Sequence, residues 1–374
     1  MKAEAAMRLA LSQARRARGR SFPNPPVGAV VYRGDRGLGR GYTRPVGGAH
    51  AEVVAIERAV ARHGARAVRG AALAVTLEPC AHTGRTPPCA KRILDAGIAR
   101  VVVGHGDPHD QVAGRGIRRL RRSGVRVEIG VLESACREQH RGFLSSVLRG
   151  RPFVMLKLAS SLDGRIATAR GESRWITGPE SRAAVHRLRA RVDALVIGAA
   201  TARADDPELT ARRGDTVVHW PVRVVADPDL SVPATARLYA ATAGEAWALC
   251  GSRPPAARRR ALEARGARVL PVRRVGRSLD LRAGLRRLAR AGLSEILVEG
   301  GGQLAASLLR AGLVDELHWF TAPRLLGGDA RPALGALDVR KLARSPQLAE
   351  LRVKRLGDDV HWVGTLATPG ETGL

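Results

Sequence analysis

Four residues near the start of the chain have types and spacing that can do chemistry: His50, Glu52, Cys80 and Cys89. One imidazole and two thiolates supply three ligands for Zn2+ and leave a fourth tetrahedral position open to water. Such a metal lowers the pKa of its water toward neutrality. Glu52 follows His50 by two residues, so it lies near the metal without being needed to bind it, and a carboxylate there can carry protons. Each part alone is weak. A His-x-Glu pair recurs by chance, and a cysteine is often just a small buried hydrophobe. The joint pattern, with Pro79 before the first cysteine, carries the reading. A structural zinc site wants a fourth ligand, and only three are evident. Cys136 and Cys250 lack a partner pattern and read as packing residues.

Those groups need a scaffold, and the hydrophobic pattern supplies an α/β one. Helices are expected at Glu4–Ala17, His50–Arg62, Pro87–Ala96, Gly116–Ser123 and Glu133–Leu148. Strands are expected at Val27–Tyr32, Leu38–Tyr42, Ala71–Leu77, Arg100–Gly104 and Val125–Ile129. This alternation implies a sheet with helices on both faces. His50 then opens a helix, and Cys80 follows a buried strand. Arg149-Gly150-Arg151-Pro152 interrupts the pattern, which sets a domain boundary between residues 1–149 and 150–374. Beyond it, strands are expected at Phe153–Leu158, Asp193–Gly198, Val222–Ala226, Ala246–Cys250, Val269–Val272 and Glu295–Val298, with helices at Glu180–Ala190 and Gln303–Ala311. The polar stretch Ala199–Trp220 reads as a functional loop.

Composition narrows the class. A chain of 374 residues suggests about two domains, and 45% hydrophobic with 26% charged residues excludes a largely disordered one. No apolar run is long enough to span a bilayer, and Met1–Arg20 lacks the apolar core of a secretory signal. Four cysteines are too few for a disulfide scaffold, so a reducing, cytoplasmic setting is expected. The net charge of +29 raises nucleic-acid binding. The charge is mostly arginine scattered along helical faces, however, and only 3% of residues are aromatic, too few for a base-stacking surface. It reads first as a solvated surface, with contact to an anionic substrate or to a polynucleotide as the lesser readings. A homo-oligomer is left open.

The wider gap between the two cysteines identifies a resemblance. Zinc deaminases commonly place the second cysteine after two intervening residues. Here the gap holds His82, Thr83, Gly84, Arg85 and prolines. The stretch from Glu78 to Cys89, with Pro23–Gly28 and Val112–Gly116, resembles the deaminase domain of the bifunctional riboflavin-biosynthesis deaminase/reductase family. That resemblance implies a cytidine-deaminase-like fold and a phosphoribosylaminopyrimidine substrate, with Asn24, His82 and Arg85 as contacts. The chemistry agrees, since Asn pairs with a pyrimidine edge and Arg with phosphate. Two positions depart from the family pattern: Thr43 stands where His is common, and His109-Asp110 where Asn-Pro is common.

The second half resembles the same family's reductase, which has a dihydrofolate-reductase-like fold and uses NADPH. The resemblance runs through Lys157–Gly164, Ser173–Gly178, His186–Ala190, Asp205–Arg212 and Glu299–Gly302. It implies Ala159, Trp175, Thr201, Asp205, Gly300, Gly301 and Gly302 at the cofactor. It implies Ser173, Arg189, Leu209, Arg212 and Glu299 at the substrate. Arg189 and Arg212 are expected to clamp its phosphate, and Lys157 reads either as an acid or as a packed, salt-bridged residue. The resulting expectation is hydrolytic deamination followed by NADPH-dependent reduction of the ribosyl group. A nucleic-acid (tRNA-type) deaminase with an appended domain is the alternative. A non-catalytic binding protein is disfavoured by the intact His50, Glu52, Cys80 and Cys89 set.

Overall fold

The computed structural model describes residues 1–81, 87–110, 112–240 and 244–366. The chain forms two compact units, Met1–Gly150 and Arg151–Leu374. In the first unit the order is α1 (Ala3–Ala14), β1 (Gly28–Arg33), β2 (Arg36–Tyr42), α2 (Ala51–His63), α3 (Ala65–Val68) and β3 (Ala72–Leu77). Then come α4 (Cys89–Asp95), β4 (Arg100–His105), α5 (Arg115–Arg122), β5 (Arg126–Ile129), α6 (Glu133–Gln139) and α7 (Arg141–Arg149). The sheet order is β2-β1-β3-β4-β5, with β3, β4 and β5 parallel.

Strand alternation builds a core on each face of this sheet. Val30, Tyr32, Ala74 and Val102 bury with Ala6, Met7 and Ala10 of α1 and with Cys136. Their neighbours Ala29, Val31, Leu73, Val75 and Val103 pack against Ala51, Ala55 and Ile56 of α2 and against Ala90 and Ile93 of α4. The helix α2 lies directly on β2. A Cβ at Gly39 or Gly41 would come within 2.2 Å of the carbonyl oxygen of Ala55 or Ala51. That approach sets where His50, the residue capping α2, must lie. The expected helix Glu133–Leu148 is instead two helices. His140 leaves the helical backbone region at φ −102°, ψ 9°, and its Nε2 lies 3.0 Å from Thr76 Oγ1.

The second unit runs β6 (Phe153–Ser161), β7 (Arg165–Ala167), α8 (Pro179–Arg189), β8 (Ala194–Gly198), α9 (Ala199–Asp205), β9 (Ala211–Arg213) and β10 (Thr216–His219). It continues with β11 (Val222–Ala226), β12 (Ala246–Gly251), α10 (Ala256–Ala264), β13 (Arg268–Val272), β14 (Arg274–Val275), β15 (Ser278–Leu279), α11 (Leu281–Arg290), β16 (Glu295–Glu299) and α12 (Gly302–Arg310). It closes with β17 (Glu316–Ala322), β18 (Arg331–Pro332), β19 (Leu348–Leu356) and β20 (Asp359–Leu366). Nine strands form one sheet in the order β13-β12-β11-β8-β16-β6-β17-β20-β19. Cys250 is buried in its core, as a packing residue would be. Ala199–Trp220 is not a loop. It folds as α9 and the β9–β10 hairpin, because Ala199, Ala202 and Leu209 bury in the core. The last strands of the sheet carry little sequence signal: β19 is exposed along nearly all its length, so no apolar alternation is imposed on it.

Candidate active sites of the two units

In the first unit three elements converge. His50 caps α2, Cys80 lies just beyond β3, and Cys89 opens α4. Nδ1 of His50 is 3.1 Å from Cys89 Sγ and 3.8 Å from Cys80 Sγ. The three donor atoms all lie within 4.8 Å of one another, and no other such His/Cys/Asp/Glu group occurs among the described residues. One nitrogen and two sulfurs, partly or wholly buried, fit a zinc ion with one position left open. The Cys80 thiol is pulled down to about 4 by hydrogen bonding from Cys89 and then from His50. Cys89, left with the shared proton and buried, is pushed up. Glu52 is buried, and that burial raises its carboxyl to about 7 against the pull of His50. A carboxyl poised there can both accept and return a proton at neutral pH.

The loop bearing Asn24 is pinned from three sides. The Val27 N–H donates to Thr43 Oγ1 at 3.1 Å, and the Thr43 N–H donates to the Val27 carbonyl at 3.0 Å. The Gly28 N–H donates to Thr76 Oγ1, and Gln139 Nε2 donates to the Pro26 carbonyl. Thr43 is therefore a buried clamp on this loop, which gives the departure from the family pattern a physical role. His82 and Arg85 lie outside the described residues.

In the second unit the expected residues divide. Thr201 is pressed against the Gly300–Gly301 turn: a Cβ on Gly301 would lie 3.0 Å from Thr201 Oγ1. Both glycines have left-handed φ, at 83° and 74°, which favours glycine there. Gly302 instead packs on the Pro332–Gly335 segment, and Gly335 N–H donates to its carbonyl. Ala159 packs with Ala184, Val185 and Phe320. Trp175 is exposed beneath the Arg182 guanidinium, at 4.8 Å from its ring centre, and Ser173 lies in the same exposed segment. The Asp205 carbonyl accepts from Arg174. The Leu209 side chain is in the core, so only its main chain can face a ligand.

Arg189 and Glu299, expected as separate substrate contacts, are partners. Nε and Nη2 of Arg189 donate to the two Glu299 oxygens at 2.6 and 2.8 Å, and Nη1 donates to the Thr210 carbonyl at 3.0 Å. Burial pushes the Glu299 carboxyl up, but Arg189 and Lys157 outweigh it and hold the group below its usual range. Lys157, on β6 beside Glu299, has its pKa lowered by burial. Arg212 is likewise engaged, with Glu208 and with Thr210 Oγ1. Sequence reasoning missed two further groups. Asp163 accepts from the Leu326 and Gly327 N–H groups, and Glu78 gathers main-chain amides beside Cys80.

Comparison with known proteins covers both units. Residues 1–105 match the cytidine and deoxycytidylate deaminase zinc-binding region, and residues 152–362 match the RibD C-terminal domain. The riboflavin biosynthesis protein RibD of Escherichia coli is 40% identical over 97% of this chain and 100% of its own. That of Aquifex aeolicus is 38% identical over 95% of this chain and 96% of its own. Among solved structures, Acinetobacter baumannii RibD superposes with a TM-score of 0.85 at 35% identity, covering 98% of this chain and 99% of its own. A Thermotoga maritima diaminohydroxyphosphoribosylaminopyrimidine deaminase/5-amino-6-(5-phosphoribosylamino)uracil reductase gives 0.84 at 31% identity, with the same coverage.

Proposed function

This chain belongs to the RibD family of riboflavin-biosynthesis proteins, and from that premise we infer that it performs two consecutive reactions on one phosphorylated pyrimidine. The first unit, Met1–Gly150, deaminates diaminohydroxyphosphoribosylaminopyrimidine. The second, Arg151–Leu374, reduces 5-amino-6-(5-phosphoribosylamino)uracil with NADPH. The observation that carries the reading is the convergence of His50 Nδ1, Cys80 Sγ and Cys89 Sγ, with buried Glu52 beside them. A match running through both units sets aside a tRNA-type deaminase.

When bound by His50, Cys80 and Cys89, zinc supplies Lewis acidity at an open fourth position. Glu52 takes a proton from the attacking water and hands it to the departing amino nitrogen, so that ammonia leaves neutral. Its burial, which brings the carboxyl into the neutral range, suits both transfers. The pinned loop holds Asn24 toward the pyrimidine edge. The resemblance of its motif supports Arg85 as the residue that meets the phosphate.

In the second unit NADPH supplies the hydride. Thr201 and the Gly300–Gly301 turn, which leads into α12, offer main-chain N–H groups suited to a cofactor phosphate. Arg189 holds the Glu299 carboxylate in one orientation toward the sugar. Lys157 is the proton-bearing group on the adjacent strand. The cytoplasm, where NADPH and phosphorylated intermediates meet, is the matching location.

The test is to supply the diaminopyrimidine phosphate to zinc-loaded protein with and without NADPH and to identify the products by mass. Without NADPH an amino group should be exchanged for oxygen. With NADPH two further hydrogens should appear. No deamination, or reduction that requires no cofactor, would refute the assignment.

A further inference from the structure

We propose that Glu78 is the positioning residue of the zinc site. It fixes Cys80 by clamping the end of β3 to the start of α5, and this rests on reading His50, Cys80 and Cys89 as zinc ligands. Glu78 is buried, two residues before Cys80. Its Oε1 accepts from the Gly116 and Ile117 N–H groups at 3.0 and 3.2 Å. Its Oε2 accepts from Gly114 and Asp107 at 3.0 and 3.4 Å. All four donors are main-chain amides, and three belong to the entry into α5 or its first turn, where the helix dipole favours a negative charge. Bonds to an ionised acceptor are roughly twice as strong as neutral ones, so this is a stiff joint.

The joint reaches Cys80 through one peptide unit. A Cβ at Gly116 would lie 1.8 Å from the Pro79 carbonyl oxygen, so the first turn of α5 is pressed onto Pro79. Proline fixes its own φ, which limits how far Cys80 can swing. From the other side the Cys89 N–H donates to Cys80 Sγ at 3.4 Å, and the Ala90 N–H donates to the Cys80 carbonyl at 3.1 Å. Cys80 is thus held between two helix starts by contacts within the protein. Because the clamp uses main-chain N–H groups, it is indifferent to the side chains at positions 109 and 110. Neither His109 nor Asp110 is among its four donors.

The experiment uses the full chain. Glu78→Gln keeps size but removes the charge and turns a donor toward an amide. The variant should retain zinc when loaded, release it to a chelator about 10–100-fold faster, and show an altered cobalt(II) ligand-field spectrum. Deamination kcat should fall more than KM changes, Glu78→Asp should recover part of the loss, and NADPH-dependent reduction should persist. Zinc release and a cobalt spectrum equal to the parent's would overturn the inference, even if thermal stability fell. Should the variant fail to fold, amide exchange in the zinc-stripped parent decides. Slow exchange at Gly114, Gly116 and Ile117 supports a clamp formed before the metal, and fast exchange there overturns it. A parent that binds no zinc overturns this inference and the ligand assignment together, whereas normal zinc in the parent with an unchanged variant overturns this inference alone.

Discussion

The two units solve the problem of a functional site in opposite ways. In the first, residue type declares the chemistry: an imidazole and two thiols within 4.8 Å of one another, with a buried carboxyl on the same helix as the imidazole, have few other uses. In the second, the residues are ordinary ones, Lys157, Arg189, Thr201, Glu299 and two glycines, and their roles come from what each is set against. Arg189 shows the difference. By type it suits a phosphate, yet its guanidinium is occupied along one edge by the Glu299 carboxylate and at Nη1 by a carbonyl. A ligand site made of distinctive atoms survives a rough reading. One made of common atoms has to be seen assembled.

Glu52→Gln should give the largest effect. It keeps the shape and removes the proton acceptor, so deamination should fall by about 10²–10⁴-fold while zinc content and NADPH-dependent reduction stay. Ammonia release and metal analysis on the same sample check this, and a near-normal rate would break the claim that identity governs the first unit. Next comes Arg189→Ala, which leaves Glu299 buried without its partner. Removing one member of such a pair costs about 3 kcal/mol or more, read from denaturant unfolding. The double change Arg189→Met with Glu299→Leu should restore much of that stability but not reduction. Recovery of reduction would show that placement matters less than the comparison holds.

The smallest effect separates the units by pH. Burial drives His140 in the first unit down to about 3, from 6.5 when unfolded. Its contribution is therefore present above pH 6.5 and is lost as pH falls toward 3. Burial drives Asp193 in the second unit the other way, from 3.8 up to about 6. Its contribution is fully present below pH 3.8 and is lost as pH rises through 6. Lowering the pH from 7 to 5 should cost the first unit about 2 kcal/mol through His140 and give the second about 1 kcal/mol through Asp193. Because Glu52 in the first unit titrates the other way over the same range, each sign is read as a difference in amide exchange between the parent and a variant: His140→Gln should remove the cost in the first unit and Asp193→Asn the gain in the second.

Much of this was legible locally. The nearly unbroken apolar runs of Val27–Tyr32 and Ala71–Leu77 marked buried strands, because a sheet packed on both faces needs apolar residues at almost every position. The motif His50-Ala51-Glu52, the two cysteines and the run of glycines after Glu299 are likewise short-range facts of covalent spacing. Tertiary structure decided the rest. The break at His140 comes from a bond to Thr76, 64 residues away, against a sequence that is helical by its own propensity. Ala199–Trp220 reads as polar loop because few of its residues, among them Ala199, Ala202 and Leu209, reach the core, and the sheet that receives them is built from distant strands. The exposed strand β19 has no pattern of its own and is ordered by pairing with β20. Arg189 met Glu299 across 110 residues, and Glu78 met Gly114, Gly116 and Ile117 across 36 to 39. A sequence states which atoms are available and their neighbours along the chain. Which carboxylate a guanidinium will reach is settled only when the strands are laid side by side.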